Sequence, residues 1–383
     1  MSGGVAPAFD AAGPGGGPAP SPKRWRLLRG AVGLGARVAL ILIAAEIVVR
    51  LSGYRPPDLR PRVALFPRFP DIYSPQRDLG WVLKPDLDWK GGDVATPFRT
   101  DAFGHRAHGD RPPPAGDGAT VDCIGDSSTF GYGVPNDATY PARLEALLRE
   151  STGDASLRVR NLGVPGYTAY EARLLAERDG PHAPVTLVWV GFNDHFGTLP
   201  SHTRARSLLR RRIAYACFRS SACALFFDWL TRRPADAPPP ALPVPPSYTP
   251  DVSPDEYVAQ LTRAVRRLRA AGSEPILLIY PPLDVDEEVR RAAAEYWKRP
   301  RDQIDANIDA HPTYQRLTRE VAERERVRVV ELPPLFEAGG NRALHFDWVH
   351  PNARGQEVIA KAVEPVVRDA LAARGKSDSP AIP

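Results

Sequence analysis

Cysteine is nearly absent from this chain, with three among 383 residues. That scarcity excludes a small disulfide-stapled scaffold. Cys217 and Cys223 are close enough in sequence to pair in an oxidising compartment, a point the sequence leaves open, whereas Cys123 lies in an apolar run and reads as a small core residue. No zinc-finger, RNP or aromatic-interleaved basic pattern accompanies the net charge of +5. Its arginines are scattered through acid-rich, helix-like segments, so the charge does not point to nucleic acid. HExxH is missing too, and His345, Asp347 and His350 have no distant carboxylate cluster to complete a zinc site, so no metal is expected. Gly33 and Gly35 imitate a dinucleotide-binding spacing, but no strand precedes them and an apolar helix follows, which removes that reading.

Large apolar side chains are scarce in residues 1–22, which are mostly glycine, alanine and proline and read as a disordered tail. The chain as a whole is 43% hydrophobic, enough for one large catalytic domain or two modest ones. Prolines cluster at 56–70, 112–114 and 234–250, where they read as loops and linkers. After Lys23, Arg24, Arg26 and Arg29 comes the segment 31–51, most apolar from Val38 to Val49. As a helix it would be about 32 Å long against a bilayer core of about 30 Å. Two internal charges are accommodated, Arg37 near one end and Glu46 with Arg50 four residues on. The expectation is an uncleaved, single-pass transmembrane anchor. The basic N-terminal flank would keep the tail inside and leave the large C-terminal part periplasmic or extracellular.

Residues 52–116 read as a peripheral connector with one or two short strands. From 117 to 372 apolar strands alternate with amphipathic helices: strands 120–124, 157–162, 185–190, 275–280 and 327–332, and helices 141–150, 169–178, 254–271, 314–324 and 353–372. An insertion occupies about 196–253 and a flexible tail 373–383. Such alternation predicts an α/β fold with a parallel sheet covered on both faces, its active site beyond the C-terminal strand ends.

Four short patterns fall at those ends or before the last helix. GDSSTFG (125–131) carries Ser127, NLGVPGYT (161–168) carries Gly166, GFND (191–194) carries Asn193, and DWVHPN (347–352) carries Asp347 and His350. A serine hydroxyl needs a base to take its proton and donors to hold the oxyanion that forms. His350 is the candidate base, and Asp347 can hold its other ring nitrogen. The N–H groups of Ser127 and Gly166 and the amide of Asn193 are candidate oxyanion donors. Asp126 and Asp194 read as loop-ordering carboxylates, His195 as an exposed loop residue, and the arginines of 204–212 as a solvated or membrane-facing surface.

In this order the four patterns resemble the SGNH hydrolase superfamily, the GDSL-like lipases and esterases. The resemblance covers roughly residues 117–372 and implies a flavodoxin-like three-layer α/β/α fold. It also implies a nucleophile Ser127, an oxyanion hole of Ser127, Gly166 and Asn193, and a base His350 with Asp347 as third triad member. Ser128 departs from the leucine of the namesake pattern. The segment RTDAFGHR (99–106) resembles that of membrane-anchored members of the family and suggests no catalytic residue. The implied activity is a serine esterase without metal or organic cofactor, acting on a lipid, a small acyl ester or an acetylated glycan. Transfer of an acyl group to or from an envelope glycan, or a non-catalytic binding role in the envelope, are the alternatives. Substrate and oligomeric state are not legible.

Overall fold

The computed structural model describes residues 22–54, 72–91, 96–109, 120–178, 182–196, 208–231, 247–297 and 299–377. The expected tail at 1–22 lies almost wholly outside them; of the tail expected at 373–383, residues 373–377 are instead the end of the last helix, Ala353–Ser377, and the rest lies outside. The chain divides into two compact units, residues 1–57 with 220–230, and residues 58–219 with 231–383.

The smaller unit pairs helix α1, Pro22–Leu51, with an eleven-residue helix, Ser221–Thr231, numbered α7 below. The segment 31–51 is thus helical. Among the described residues, however, no helix is long and apolar enough to cross a membrane. The described part of α1 carries Arg37, Glu46 and Arg50, and these charges interrupt its apolar run. Cys217 and Cys223 form no disulfide, so the pairing left open by the sequence is not made.

The larger unit is built on five strands: β1 Val121–Gly125, β2 Val159–Gly163, β3 Val185–Trp189, β4 Glu274–Ile279 and β5 Arg328–Glu331. All pair in parallel, in the order β2-β1-β3-β4-β5. This is the flavodoxin-like order, whose topological switch point lies between β1 and β3. β1 and β3 are buried along their whole length, as strands covered on both faces must be.

Side chains alternate across the sheet and build two cores. Ile124, Val188 and Leu277 pack on one side with helices α4 (Ala169–Ala176), α8 (Pro254–Ala270) and α9 (His311–Glu325). Cys123, Leu187, Ile276 and Leu278 pack on the other with α3 (Tyr140–Thr152) and α10 (Ala353–Ser377). The spacing in α8 shows why the sequence is helical there: Tyr257, Leu261, Ala264, Val265 and Leu268 form one buried stripe. Ser253 caps that helix and Pro254 opens it.

The segment read as a connector forms two antiparallel hairpins, Tyr73–Gln76 with Gly80–Leu83 and Asp88–Trp89 with Phe98–Arg99. Its Ile72, Trp81, Leu83 and Phe98 belong to the same core as Ile124 and Phe130. Four short strands therefore replace the expected one or two.

Close approach sets one glycine. A Cβ on Gly163, at the end of β2, would lie 2.2 Å from the Phe130 nitrogen and 2.7 Å from the Thr129 carbonyl carbon. Those backbone atoms belong to the short helix α2, Ser127–Phe130, which carries the candidate nucleophile. We expect Gly163→Ala to destabilise the fold by about 1–3 kcal/mol through overpacking against atoms that cannot rotate away. Urea unfolding measures this, and an unchanged midpoint would show that α2 does not pack on β2 as described.

Candidate active site

Three strand ends and one loop before α10 converge. β1 ends at Gly125, and Asp126 then caps α2 by accepting from the Ser128 N–H at 2.9 Å. The cap is thus Asp126, and Ser127 is the first residue of the helix. Ser127 is largely buried, at 7% exposed.

Its Oγ lies 2.8 Å from His350 Nε2, and His350 Nδ1 lies 2.7 Å from Asp347 Oδ2. The other Asp347 oxygen accepts from the N–H groups of Val349 and His350, at 2.8 and 2.7 Å. The carboxylate is therefore fixed by its own loop before it touches the imidazole. With Nδ1–H donated to Asp347, the tautomer leaves Nε2 free to accept the Ser127 proton. Burial alone would lower the His350 pKa, but the charge and hydrogen bond of Asp347, with help from Asp126, raise it above its ordinary value. Burial likewise opposes ionisation of Asp347, yet the His350 charge and the hydrogen bonds bring it down to about 2. The ring of Tyr132 covers the imidazole, with centroids 4.7 Å apart.

The oxyanion candidates are tied together by one amide. Asn193 lies in the short helix α5, Phe192–His195, after β3. Its Nδ2 donates to the Tyr167 carbonyl at 3.0 Å and to Asp126 Oδ2 at 3.3 Å. The side chain thus joins the loop after β1 to the loop after β2, which holds Gly166 at φ 86°, a left-handed conformation that favours glycine. Both amide hydrogens are engaged, so an arriving oxyanion must replace one of these acceptors. Beyond Tyr167, Thr168 and Glu171 form a capping box that starts α4.

Asp126 is the hub. Tyr280, directly after β4, donates its hydroxyl toward both Asp126 oxygens at 2.7 and 2.8 Å and lies 2.8 Å from Ser128 Oγ. Burial pushes the Asp126 carboxyl up to about 6, against the pull of the Ser128 N–H, the Tyr280 hydroxyl and the His350 charge. Asp194 accepts from the Ala169 N–H at 2.9 Å and so links α5 to the start of α4. Both aspartates order loops, as the sequence suggested.

Two sequence readings are corrected. His195 is not an exposed loop residue; it is fully buried and meets His311, with His195 Nε2 2.9 Å from His311 Nδ1 and His311 Nε2 2.9 Å from the Pro281 carbonyl. Burial lowers both pKa values, that of His311 to about 4, so the pair is neutral at pH 7. A neutral His311 donating to Pro281 must accept from His195, which fixes both tautomers. Within 204–212, Arg211 is not on a solvated surface. It is 2% exposed, on α6 (Leu208–Arg219), and ion-pairs with the buried Glu171 at 2.6 Å while donating to the Leu79 carbonyl. Glu171 needs a charged partner once its other oxygen is committed to the Thr168 cap.

Sequence reasoning missed Arg106, at the end of the RTDAFGHR segment. Its guanidinium, 3% exposed, donates to the carbonyls of Phe130, Gly131 and Val134 and to Asn136 Oδ1. It lies over the ring of Phe130, 4.3 Å from the centroid. Arg106 thus satisfies the carbonyls where α2 ends, and holds the nucleophile's helix from behind. His345, once weighed as a metal ligand, bonds the Asn341 carbonyl at 2.8 Å. Among the described residues no group of three or more His, Cys, Asp and Glu is placed to hold a metal ion.

A family model described as the GDSL-like Lipase/Acylhydrolase family matches residues 123–358. A comparison with curated proteins gave no match. Similar solved structures include LAE5, an α/β hydrolase enzyme from the metagenome of Lake Arreo, 23% identical, covering 66% of this chain and 96% of that one, with a TM-score of 0.39. Axe2, an acetylxylan esterase from Geobacillus stearothermophilus, is 18% identical over 66% of this chain and 95% of its own, with a TM-score of 0.41. A member of the lipolytic protein G-D-S-L family from Veillonella parvula is 16% identical over 64% and 96%, with a TM-score of 0.38.

Two outcomes follow from the geometry. Because only neutral His350 can accept a proton, and its pKa is raised, the acid limb of kcat/KM should lie above the ordinary imidazole value of 6.5. Asp347→Asn removes the charge that raises it, so the limb should move to lower pH while kcat falls by roughly 10⁴-fold. A limb that stays in place would detach Asp347 from His350. Arg106→Met should cost at least about 2 kcal/mol by leaving buried carbonyls without donors, seen as a lowered thermal midpoint. An unchanged midpoint would refute that role.

Proposed function

This chain belongs to the GDSL-like lipase/acylhydrolase family and is an ester-hydrolysing enzyme, and on that premise we propose that it cleaves an oxygen ester through an acyl-enzyme on Ser127. The observation that carries the reading is the unbroken chain from Ser127 Oγ through His350 to Asp347, with spacings of 2.8 and 2.7 Å.

As Ser127 Oγ bonds to the acyl carbon, its proton passes to His350 Nε2, and Asp347 stabilises the imidazolium that forms. The carbonyl oxygen becomes an oxyanion, received by the N–H groups of Ser127 and Gly166 and by the Asn193 amide, each such donor worth about 2.7–4 kcal/mol. Collapse of the tetrahedral species expels the alcohol, which takes its proton from His350. Water then gives a proton to His350 as it attacks the acyl-enzyme, and collapse of the second tetrahedral species releases the acid while His350 returns that proton to Ser127 Oγ. The buried negative charge of Asp126 favours the imidazolium at both steps. No step asks for a metal or an organic cofactor.

The enzyme acts in this reading from a membrane, with α1 as its single anchor and the catalytic unit on the periplasmic or extracellular side. Support comes from the apolar residues α1 exposes, such as Leu40, Ile41 and Leu42, and from the basic residues at its start. Arg37 can extend its head group toward the lipid headgroups. Glu46 is ion-paired with Arg50 at 2.6 Å.

Ser127→Ala should lower kcat for a small activated ester by roughly 10⁴- to 10⁶-fold, as loss of a nucleophile does in other serine hydrolases. Turnover within tenfold of the unaltered enzyme, in a variant with an unchanged unfolding midpoint, would overturn the assignment.

A further inference from the structure

Helix α7 presents an apolar face that the catalytic chemistry does not use. Leu225, Phe226, Trp229 and Leu230 are exposed, Trp229 to 69%. At 100° per residue they occupy a single arc, while Ala224 and Asp228 on the other side are buried. Beside it, α1 exposes Val38, Leu40, Ile41, Ile43 and Ile47, which at 100° per residue spread over an arc of about 220°, with Glu46 in the remaining gap. A narrow stripe would suit one partner helix, whereas so wide an arc suits an apolar solvent.

The polar groups of the two helices are turned toward each other. Glu46 of α1 accepts from Ser220 Oγ at 2.8 Å and from the N–H groups of Ser221 and Ala222 at 3.0 and 2.9 Å, and so caps the N-terminus of α7. Farther along, Tyr54 Oη lies 3.4 Å from Asp228 Oδ2. From Glu46 to Tyr54 on one chain segment, and from Ser221 to Asp228 on the other, the two run side by side in the same sense. Both acids are thereby spent between the helices, which leaves Arg37 and Arg50 as the exposed charges of α1 between residues 33 and 51. The charge that most interrupts the apolar run of α1 is the one that seats α7.

We propose that α7 is a membrane-seated helix, its Leu225–Leu230 face inserted into the bilayer interface and latched to α1 by Glu46. This rests on the reading of α1 as a lipid anchor and adds a second, side-chain-mediated attachment to it. A bilayer is the occupant because it covers the wide apolar arc of α1 and the apolar face of α7 together. Lys23, Arg24, Arg26 and Arg29 at the start of α1 match anionic headgroups. Tyr54 and Trp229, at the same end of the pair, are residues that favour the membrane–water boundary.

The test uses the full-length protein with vesicles of phosphatidylcholine and phosphatidylglycerol. Flotation reports α1, and the fluorescence difference between the unaltered protein and Trp229→Phe reports α7, with esterase activity showing that the variant is folded. Lipids brominated on the acyl chain should quench most of the Trp229 signal and aqueous iodide little of it. Glu46→Ala should reverse that preference while the protein still floats. Flotation with a Trp229 signal quenched by iodide but not by bromolipid would overturn the latch and leave the anchor standing. A protein that does not float would overturn both readings. Concentration-dependent self-association that shields Trp229 from both quenchers would give the face to a second copy of the chain and overturn the proposal.

Discussion

A carboxylate with no access to water sits at the end of the central strand, and the surrounding groups are arranged around its need for donors. Asp126 is fully buried and takes hydrogen bonds from the Ser128 N–H, the Tyr280 hydroxyl and the Asn193 amide. Those donors come from the turn after β1, the end of β4 and the helix after β3. A buried charge without partners is costly, so each donor is held by the penalty of leaving it. Satisfying Asp126 therefore aligns the helix of Ser127, and it brings the Asn193 amide to the same strand ends.

Outside this hub, two buried arginines fix the loops that the sheet alone would leave loose. Arg106 reaches from the segment before β1 to the carbonyls at the end of α2. Arg211 reaches from α6 to Glu171, whose other oxygen caps α4 just beyond Gly166 and Tyr167. The hydroxyl of Tyr167 in turn bonds the Trp81 carbonyl at 2.7 Å, so the hairpins before the sheet also press on the loop of Gly166. Buried ionic and polar contacts of this kind add less to stability than to geometry, since an apolar replacement could fill the same volume but would not hold one loop conformation. An oxyanion hole assembled from three separate loops has that requirement.

The parts legible in the sequence are those encoded locally. Strands buried on both faces are apolar runs, and all five central strands begin and end within about two residues of where the pattern places them. The triad was legible because Asp347 and His350 share one turn and Ser127 follows a strand. The illegible parts depend on partners far away in the chain. Arg106 bonds carbonyl groups, which every residue possesses, so nothing in its own segment names its target. Arg211 and Arg212 are neighbours of identical type, yet one is buried and the other exposed, because only one side of α6 faces Glu171. His195 follows a motif loop and its partner His311 is 116 residues on. The charges of α1 show the reverse case: they are plain in the sequence, but their pairing with the start of α7 is not.

The central claim is that the Asp126-anchored turn presents Ser127 as the nucleophile. Reaction of the unaltered full-length enzyme with a fluorophosphonate, followed by digestion and mass spectrometry of the peptides, tests it most directly. The account predicts a single covalent adduct, on Ser127, formed in step with loss of esterase activity. An adduct on another residue, or full activity after Ser127 is modified, would contradict it.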